Sequence, residues 1–512
     1  MYDLVANYKT LKFDLIDDKG MIVSDVANLL LPIDIIGSIE ESNRNMVLLR
    51  THENKNGIAC TREFQIAMND LASQADFHTA LFRNLYLISY KLVNHLRQFL
   101  MEEMQELQRQ GKIKYKHKTL GFYHDIDGKL LFLLDSNQTA QGLSEYYNEK
   151  LTFTEGSKSD YEEFLKREIL PYKHMQLALA LGLSSVTASY LEEVADTGTI
   201  VVNLCGASST GKSTTAQFIA SLWGDPHIGN DSLVRTFNST PGAMFASIEG
   251  FKGVPIILDD ATTAGYLNKT QLIYQLSQGE ARSRLTDYGR AVQQGEKWSG
   301  VAFITSEMPI ISESETRQGL IARVIETNDI IWTEDAEHSI RIKNHIQTNF
   351  GHLGKDFAQR ILELERQDII DWYQKLKIEI LNSITTKDNL TERIVNKLAI
   401  VLLTAKLVSA HFKYELNLND IRSTLVDFDQ VDVGERHIAI KALETIKDYI
   451  QKNHRNFDKF DEKGVVLQTS SGSLMGIMTY HKDTVDVAIP ATNVKEILMS
   501  NRIFEYRAVI KY

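Results

Sequence analysis

Cysteine is almost missing from this sequence, which carries only Cys60 and Cys205 in 512 residues. Two cysteines leave no disulfide framework and no cysteine-built zinc site, and Cys205, inside an apolar run, reads as a small buried hydrophobe. Missing too is any window approaching 18 uncharged apolar residues. Nor does the N-terminus, Met1-Tyr-Asp-Leu-Val-Ala-Asn-Tyr-Lys9, put a basic region before an apolar one. The expectation is a soluble cytoplasmic protein with no membrane partner. Positive charge is in deficit, with 56 Lys and Arg against 67 Asp and Glu and a net charge of −11. A protein coated in nucleic acid would not look like this, although a local basic channel remains compatible with it, because binding depends on where the cations sit. No repeat or low-complexity tract stands out. What is there is an ordinary globular composition, 43% apolar and 24% charged, with length enough for about three domains.

The most specific stretch is Gly206-Ala-Ser-Ser-Thr-Gly-Lys-Ser213, which follows the apolar run Ile200–Cys205 and precedes a helical segment from Thr214 to Trp223. It matches G-x-x-x-x-G-K-[ST], the phosphate loop between a strand and a helix. Gly206 and Gly211 let the backbone turn tightly and bring its N–H groups to the phosphates. Ser209 and Thr210 complete the loop around a nucleotide, Lys212 carries positive charge to the β- and γ-phosphates, and Ser213 offers a hydroxyl to Mg²⁺. Thr214 continues a helix whose positive end faces the same anion. The implied cofactors are ATP and Mg²⁺.

A second apolar run, Val254-Pro-Ile-Ile-Leu-Asp259-Asp260, ends in two carboxylates, as expected of a buried parallel strand delivering ligand chemistry at its carboxyl end. Asp259 is assigned to Mg²⁺ and Asp260 to the attacking water. Asp260 is one methylene shorter than the glutamate usual in that role. The strand Val301–Glu307 ends in Thr305, Ser306 and Glu307, one of which senses the γ-phosphate; the site assignment takes Ser306. Between these strands, short arms flank Tyr288-Gly289-Arg290, a hairpin with a basic, aromatic tip. Arg290, Tyr288 and Arg284 are its candidate DNA contacts, and an ordinary surface hairpin is the alternative. Farther on, Arg317 and Arg323 are candidates for a fixed positive charge inserted into a neighbour's site, and Arg323, directly before an apolar strand, is preferred.

Elsewhere the pattern places strands at Leu31–Glu40, Met46–Thr51 and Gly57–Cys60, and long helices from Arg62 to Gln108. Lys112–Lys118 alternates four lysines with Ile113 and Tyr115. It reads either as a phosphate-backbone contact or, preferred, as a solvated edge strand guarded by lysine. A hairpin turns at Asp127-Gly128. Helices follow at Asp160–Leu170 and from Tyr172 to Val194 with a break near Gly182. Helical segments resume at His338–Asn349, Lys355–Ile384 and Thr391–Phe412, where Ile394, Leu398, Leu402, Ala405 and Val408 share a face. Arg393 sits in the first turn of the last, against the helix dipole, and so is a candidate nucleotide contact. A helix Glu435–Asn453, strands 464–469, 474–480 and 485–490 and a helix 492–500 close the chain, which stops at Ile510-Lys-Tyr512 as if inside an element.

In this order, phosphate loop, double-acid strand, hairpin, sensor strand, arginine and lid helix resemble the AAA+ ATPases of the pre-sensor-2-insert clade, and within it the minichromosome-maintenance-like replicative helicases. Asn203–Thr215, Leu222-Trp-Gly-Asp-Pro226 and Asn349-Phe-Gly-His-Leu-Gly354 resemble, more narrowly, a bacterial helicase-like family first defined as a domain of unknown function, and in it the self-loading initiator helicases of staphylococcal cassette chromosome elements. The resemblance covers about Ser157 to Val426 well. It implies an α/β AAA+ P-loop NTPase core with helical insert and lid, flanked by an α+β N-terminal domain and a small α+β C-terminal domain. The expected bounds are 1–156, 157–335, 336–434 and 435–512. It further implies an ATP-dependent hexameric DNA helicase that initiates replication of a mobile genetic element, moves 3′-to-5′ on single-stranded and forked DNA, and works with a single-stranded-DNA-binding protein and a primase or polymerase. By residue it puts Lys212 and Ser213 on phosphates and Mg²⁺, Asp259 on the metal, Asp260 on the water, Arg323 in trans, Arg393 on the lid and Arg290 on DNA. The chain departs from the clade at Asp260 and at Glu307, where asparagine is common, and no winged helix is recognisable at the C-terminus. The alternative is a regulatory or phage-defence switch that assembles on nucleotide without unwinding DNA.

Overall fold

Five apolar segments form the sheet that organises the larger part of the molecule. Val234–Thr236, Ile256–Asp259, Val301–Ser306, Ile200–Cys205 and Val324–Glu326 lie side by side in that order, all parallel. Every residue of Ile200–Cys205 and Val301–Ser306 is buried, which is why these strands read as continuous apolar runs rather than alternating ones. The order puts Val301–Ser306 between the phosphate-loop strand and the acid strand. The computed structural model describes residues 3–501 apart from 41–44, 56–57, 148–149, 230–231, 263–267, 282–283, 286–291, 294–296, 312–319, 321, 329, 386, 437 and 483.

The chain divides into two compact units, Met1–Thr119 with Tyr123–Glu149, and Leu120–Phe122 with Lys150–Tyr512. In the first, Asp3–Asn7, Lys12–Ile16, Ile22–Ser38, Met46–Lys55 and Ile58–Ala67 pair antiparallel in sequence order. Helices Gln74–Arg83 and Val93–Arg109 bury Phe77, Leu81, Leu96 and Leu100 with Phe13, Leu29, Val47 and Leu49 of the sheet. The helical reading from Arg62 fails for its first residues because Ile58–Ala67 is held in the sheet by full pairing with Met46–Lys55. The edge-strand reading of the lysine segment fails as well. Ile113–His117 is flanked in parallel by Ile22–Ser38 on one side and Gly142–Tyr146 on the other. Its alternation reflects one solvated face, where Lys114 pairs with Asp34 at 2.7 Å and the Lys116 ammonium lies 5.6 Å from the centre of the Tyr147 ring.

In the second unit, Lys173–Tyr190 runs unbroken through Gly182. A β-carbon there would fall 2.6 Å from Leu222 Cδ1, so the glycine permits close packing on the phosphate-loop helix Lys212–Ser221 and the turn after it, and Trp223 Nε1 donates to its carbonyl at 3.0 Å. The segment expected as one helix from Lys355 to Ile384 is two, Leu353–Glu363 and Arg366–Ser383, parted where Leu364 and Glu365 turn extended. The helix expected at Glu435–Asn453 begins after residue 437, as Ile438–Lys452, and follows Leu418–Arg436. Thr391–His411 is the one described helix long and apolar enough to cross a membrane. Its apolar window is 72% buried against the rest of the fold, as in a core helix. Phe457–Asp461, which the sequence pattern does not reveal, centres a small sheet with Val466–Gln468, Gly476–Tyr480 and Val485–Ala488.

Candidate active site

The phosphate loop takes the backbone its glycines predict. Gly206, Ser209 and Gly211 have φ of 148°, 69° and 88°, and Gly211 caps the helix Lys212–Ser221. Two constraints act at Gly211, because a β-carbon would also lie 2.7 Å from Thr333 Oγ1. Lys212 Nζ donates to the carbonyls of Gly206 at 2.8 Å and Ala207 at 2.7 Å, and Thr210 Oγ1 donates to Ala207 O at 3.1 Å. The loop's far side is tied by Trp332 N donating to Thr210 O at 2.9 Å.

Across from it the acid strand delivers Asp259, only 6% exposed. Its Oδ1 accepts from Ser213 Oγ at 3.1 Å and from Thr305 Oγ1 at 2.6 Å, while Thr305 Oγ1 accepts the Asp260 N–H at 2.8 Å. Asp260 is exposed and left-handed, with φ of 63°. A left-handed backbone costs an L-residue about 1–2 kcal/mol, less for Asp, so the loop is held there by these bonds. The three sensor candidates part company. Thr305 faces the acids, whereas Ser306 Oγ lies 3.0 Å from Asn203 Oδ1 and 2.6 Å from Met308 O and is engaged in the fold beneath. Glu307 reaches the loop, accepting from Ser208 Oγ at 2.6 Å.

These groups line one cleft of about 550 Å³, shared by Ser208, Ser209, Gly211 to Thr214, Asp259, Asp260, Thr262 and Thr305 to Glu307. Its remaining wall, which sequence reasoning missed, is Thr333 and the start of the helix Ala336–Ile346, through Asp335, Ser339, Ile340 and Lys343. Asp335 caps that helix by accepting from His338 N at 2.6 Å, and Ser339 Oγ is 2.6 Å from Thr214 Oγ. The cap was readable from Asp335 as a helix-start signal; its approach to the phosphate loop was not. Behind it His338 Nδ1 accepts the Glu334 N–H, so Nε2 carries the proton and donates to Glu168 O at 2.8 Å. The buried Glu168 carboxylate, in the π-turn Leu165–Ile169, accepts from Arg167 and Arg341 at 2.8 and 2.9 Å. Burial pushes its pKa up, but the two guanidiniums outweigh that and the net direction is down.

Neither Arg323 nor Arg393 lines the cleft. Arg323 directly precedes Val324–Glu326, a strand parallel to Ile200–Cys205, so it sits at the end of the sheet opposite the phosphate loop. Its guanidinium lies over Tyr274, 4.7 Å from the ring centre. Arg393, exposed in the first turn of Thr391–His411, is its neighbour in charge: both arginines bear on the buried Lys397. The hairpin arms are seen as Arg284 and Leu285 paired antiparallel with Gln293 and Val292. Tyr288, Arg290 and Arg317 lie outside the described residues.

Hard oxygen donors and a lysine gathered at a glycine loop on a parallel sheet define a phosphate-loop nucleotide-binding fold. The chain belongs to the family described as domain of unknown function DUF927, whose model matches residues 18–297, more than half of it. No curated protein matches. Among solved structures it is similar to the active helicase Cch of SCCmec type IV, with a TM-score of 0.73 and 21% identity over 98% of this chain and 91% of that one. At that identity the likeness is one of fold. A structure of the NrS-1 C-terminal region aligns over 73% of this chain and 87% of that one at 11% identity, and its TM-score of 0.28 carries no argument.

Proposed function

We propose that this chain is an AAA+ ATPase that unwinds DNA as a hexameric ring. The observation that carries the reading is the placement of Arg323 and Arg393 outside the chain's own cleft, with Arg323 at the opposite end of the sheet from the phosphate loop and Arg393 bearing on the same buried Lys397. Each chain then holds two complementary half-sites, and a head-to-tail interface that closes into a ring brings one against the other. Arg393, expected on nucleotide as part of the lid, is reassigned with Arg323 to the neighbour's nucleotide.

The donor set fits Mg²⁺, which takes one or two protein oxygens and keeps phosphate and water ligands; Ser213 and Asp259, already hydrogen-bonded to each other, are the groups to hold it. When bound, the ion neutralises charge on the β- and γ-phosphates. Lys212 leaves the carbonyls of its own loop for the phosphates. Asp260 orients the attacking water and accepts its proton, and Thr305 keeps both acids in register. Glu307, which accepts from Ser208, is the group this reading assigns to sense the γ-phosphate. Arg323 of the adjoining subunit supplies fixed positive charge to the transferring group.

The helicase reading draws on the fold shared with Cch, itself described as an active helicase. By that analogy Arg290, Tyr288 and Arg284 of the hairpin grip a single strand, movement runs 3′-to-5′, and the protein acts in the cytoplasm as a self-loading initiator on a mobile element's forked DNA, beside a single-stranded-DNA-binding protein and a primase or polymerase. Mixing two inactive variants tests the ring. Lys212→Ala and Arg323→Ala subunits each lack one half-site, so a mixture restores a fraction of intact sites and of ATPase activity. A mixture as inactive as its components would contradict a shared site.

A further inference from the structure

Lys397 is a buried cation with an unusual set of neighbours. It is 4% exposed, in the second turn of the apolar helix Thr391–His411, and its Nζ donates to the carbonyl of Ala322 at 2.5 Å. Ala322 is the residue before Arg323. Lys397 is also one helical turn from Arg393, which puts the two on one face. A buried lysine ordinarily finds a carboxylate. Among the described residues this one finds a backbone carbonyl and two arginines, and its pKa is lowered to about 7 by burial first, then Arg323, then Arg393. If packing alone were the purpose, an apolar residue would fill the position without that cost.

We propose that Lys397 is a positioning residue for Arg323: by gripping the Ala322 carbonyl it fixes where the arginine leaves the sheet edge, and so the aim of the charge offered to the neighbouring subunit's triphosphate. The inference rests on the shared-site reading above. Tyr274 holds the guanidinium from one side, and Lys397 holds the backbone from which the side chain springs. The grip is charge-assisted while the amine is protonated and weakens as it loses its proton. Among the described residues, Arg393 on the same helix and Arg323 on the adjoining loop are the charged groups that bear on Lys397.

The test uses the full chain with Lys397→Met, which keeps the length and removes the donor. Affinity for a fluorescent ATP analogue should be unchanged, because the cleft is untouched. The kcat for ATP should fall by about 10²-fold, the scale of a misplaced catalytic group, and the same change in an Arg323→Ala background should cost nothing further. The wild-type kcat should decline as pH rises through about 7, and the variant's profile should be flat there. Lys397→Gln, which retains an uncharged donor, serves if the methionine variant does not fold; it should keep more activity than Arg323→Ala and lose the pH limb. Wild-type kcat in Lys397→Met, or a wild-type pH limb in Lys397→Gln, alongside an inactive Arg323→Ala would overturn the inference and leave the ring standing. An active Arg323→Ala would instead overturn the shared site.

Discussion

Thr305 donates its hydroxyl to Asp259 Oδ1 at 2.6 Å and accepts the main-chain N–H of Asp260 at 2.8 Å, so one hydroxyl from the neighbouring strand orients both acids. Thr305→Val keeps the shape and removes both bonds. A buried hydrogen bond to a charged group contributes about 1.5–3 kcal/mol, so ATP turnover should fall roughly 10- to 10²-fold with nucleotide affinity nearly kept. Single-turnover hydrolysis beside equilibrium binding checks this, and a loss confined to affinity would contradict it.

Gly211 is required twice over, by its φ of 88° and by Thr333 Oγ1 at 2.7 Å from a β-carbon. Gly211→Ala should lower the melting temperature by the equivalent of at least about 1–2 kcal/mol and weaken ATP binding. Adding Thr333→Ala removes the side-chain clash but not the Thr333 backbone nitrogen at 3.0 Å or the unfavourable φ, so rescue should be partial. Full recovery of stability would show that crowding alone matters.

Glu168 ties the π-turn Leu165–Ile169 to the helix that forms the cleft's outer wall. Its carboxyl pKa is depressed in the fold, so the stability it contributes is complete above the ordinary carboxylate value of about 4.3 and is lost as pH falls through the folded value. Thermal melts of Glu168→Gln between pH 3 and 7, an interval of the order set by carboxylate titration, should show a weaker acid dependence than wild type. Parallel curves would place the linkage elsewhere.

How far the site was legible depended on how local each signal was. Gly206–Ser213 and Ile256–Asp260 announce themselves because one short stretch holds strand, turn and chemistry together. The wall built by Thr333, Ser339 and Lys343 was invisible, since it exists only through the approach of a distant helix to the phosphate loop. Gly182 was misread as a break because a helix glycine signals flexibility locally, whereas here it signals proximity to Leu222. The lysine alternation at Ile113–His117 reported a wet face correctly and an edge wrongly, since period two describes faces and says nothing of lateral neighbours. Arg323 and Arg393 were each singled out from sequence, but only the sheet's direction placed Arg323, and the shared neighbour Lys397 placed Arg393, away from the chain's own cleft.

Lys397 carries a stability signature separate from its kinetic one. The unfolded chain keeps this proton to about pH 10.4, while the folded chain releases it near 7. Between those values the unfolded state binds more protons, so stability rises with pH. Urea midpoints at about pH 7 and 9, inside that interval, should therefore increase for wild type and change less for Lys397→Met. An identical increase in both would show that Lys397 is not the group responsible.

In the proposed function, nucleotide turnover in this cleft drives work on DNA. ATP hydrolysis measured with and without single-stranded DNA, alongside displacement of a strand from a forked duplex, tests it most directly. Hydrolysis should be stimulated by DNA and strand displacement should require ATP, and both should be abolished by Lys212→Ala. Hydrolysis indifferent to DNA, with no displacement, would contradict it and favour a switch that assembles on nucleotide.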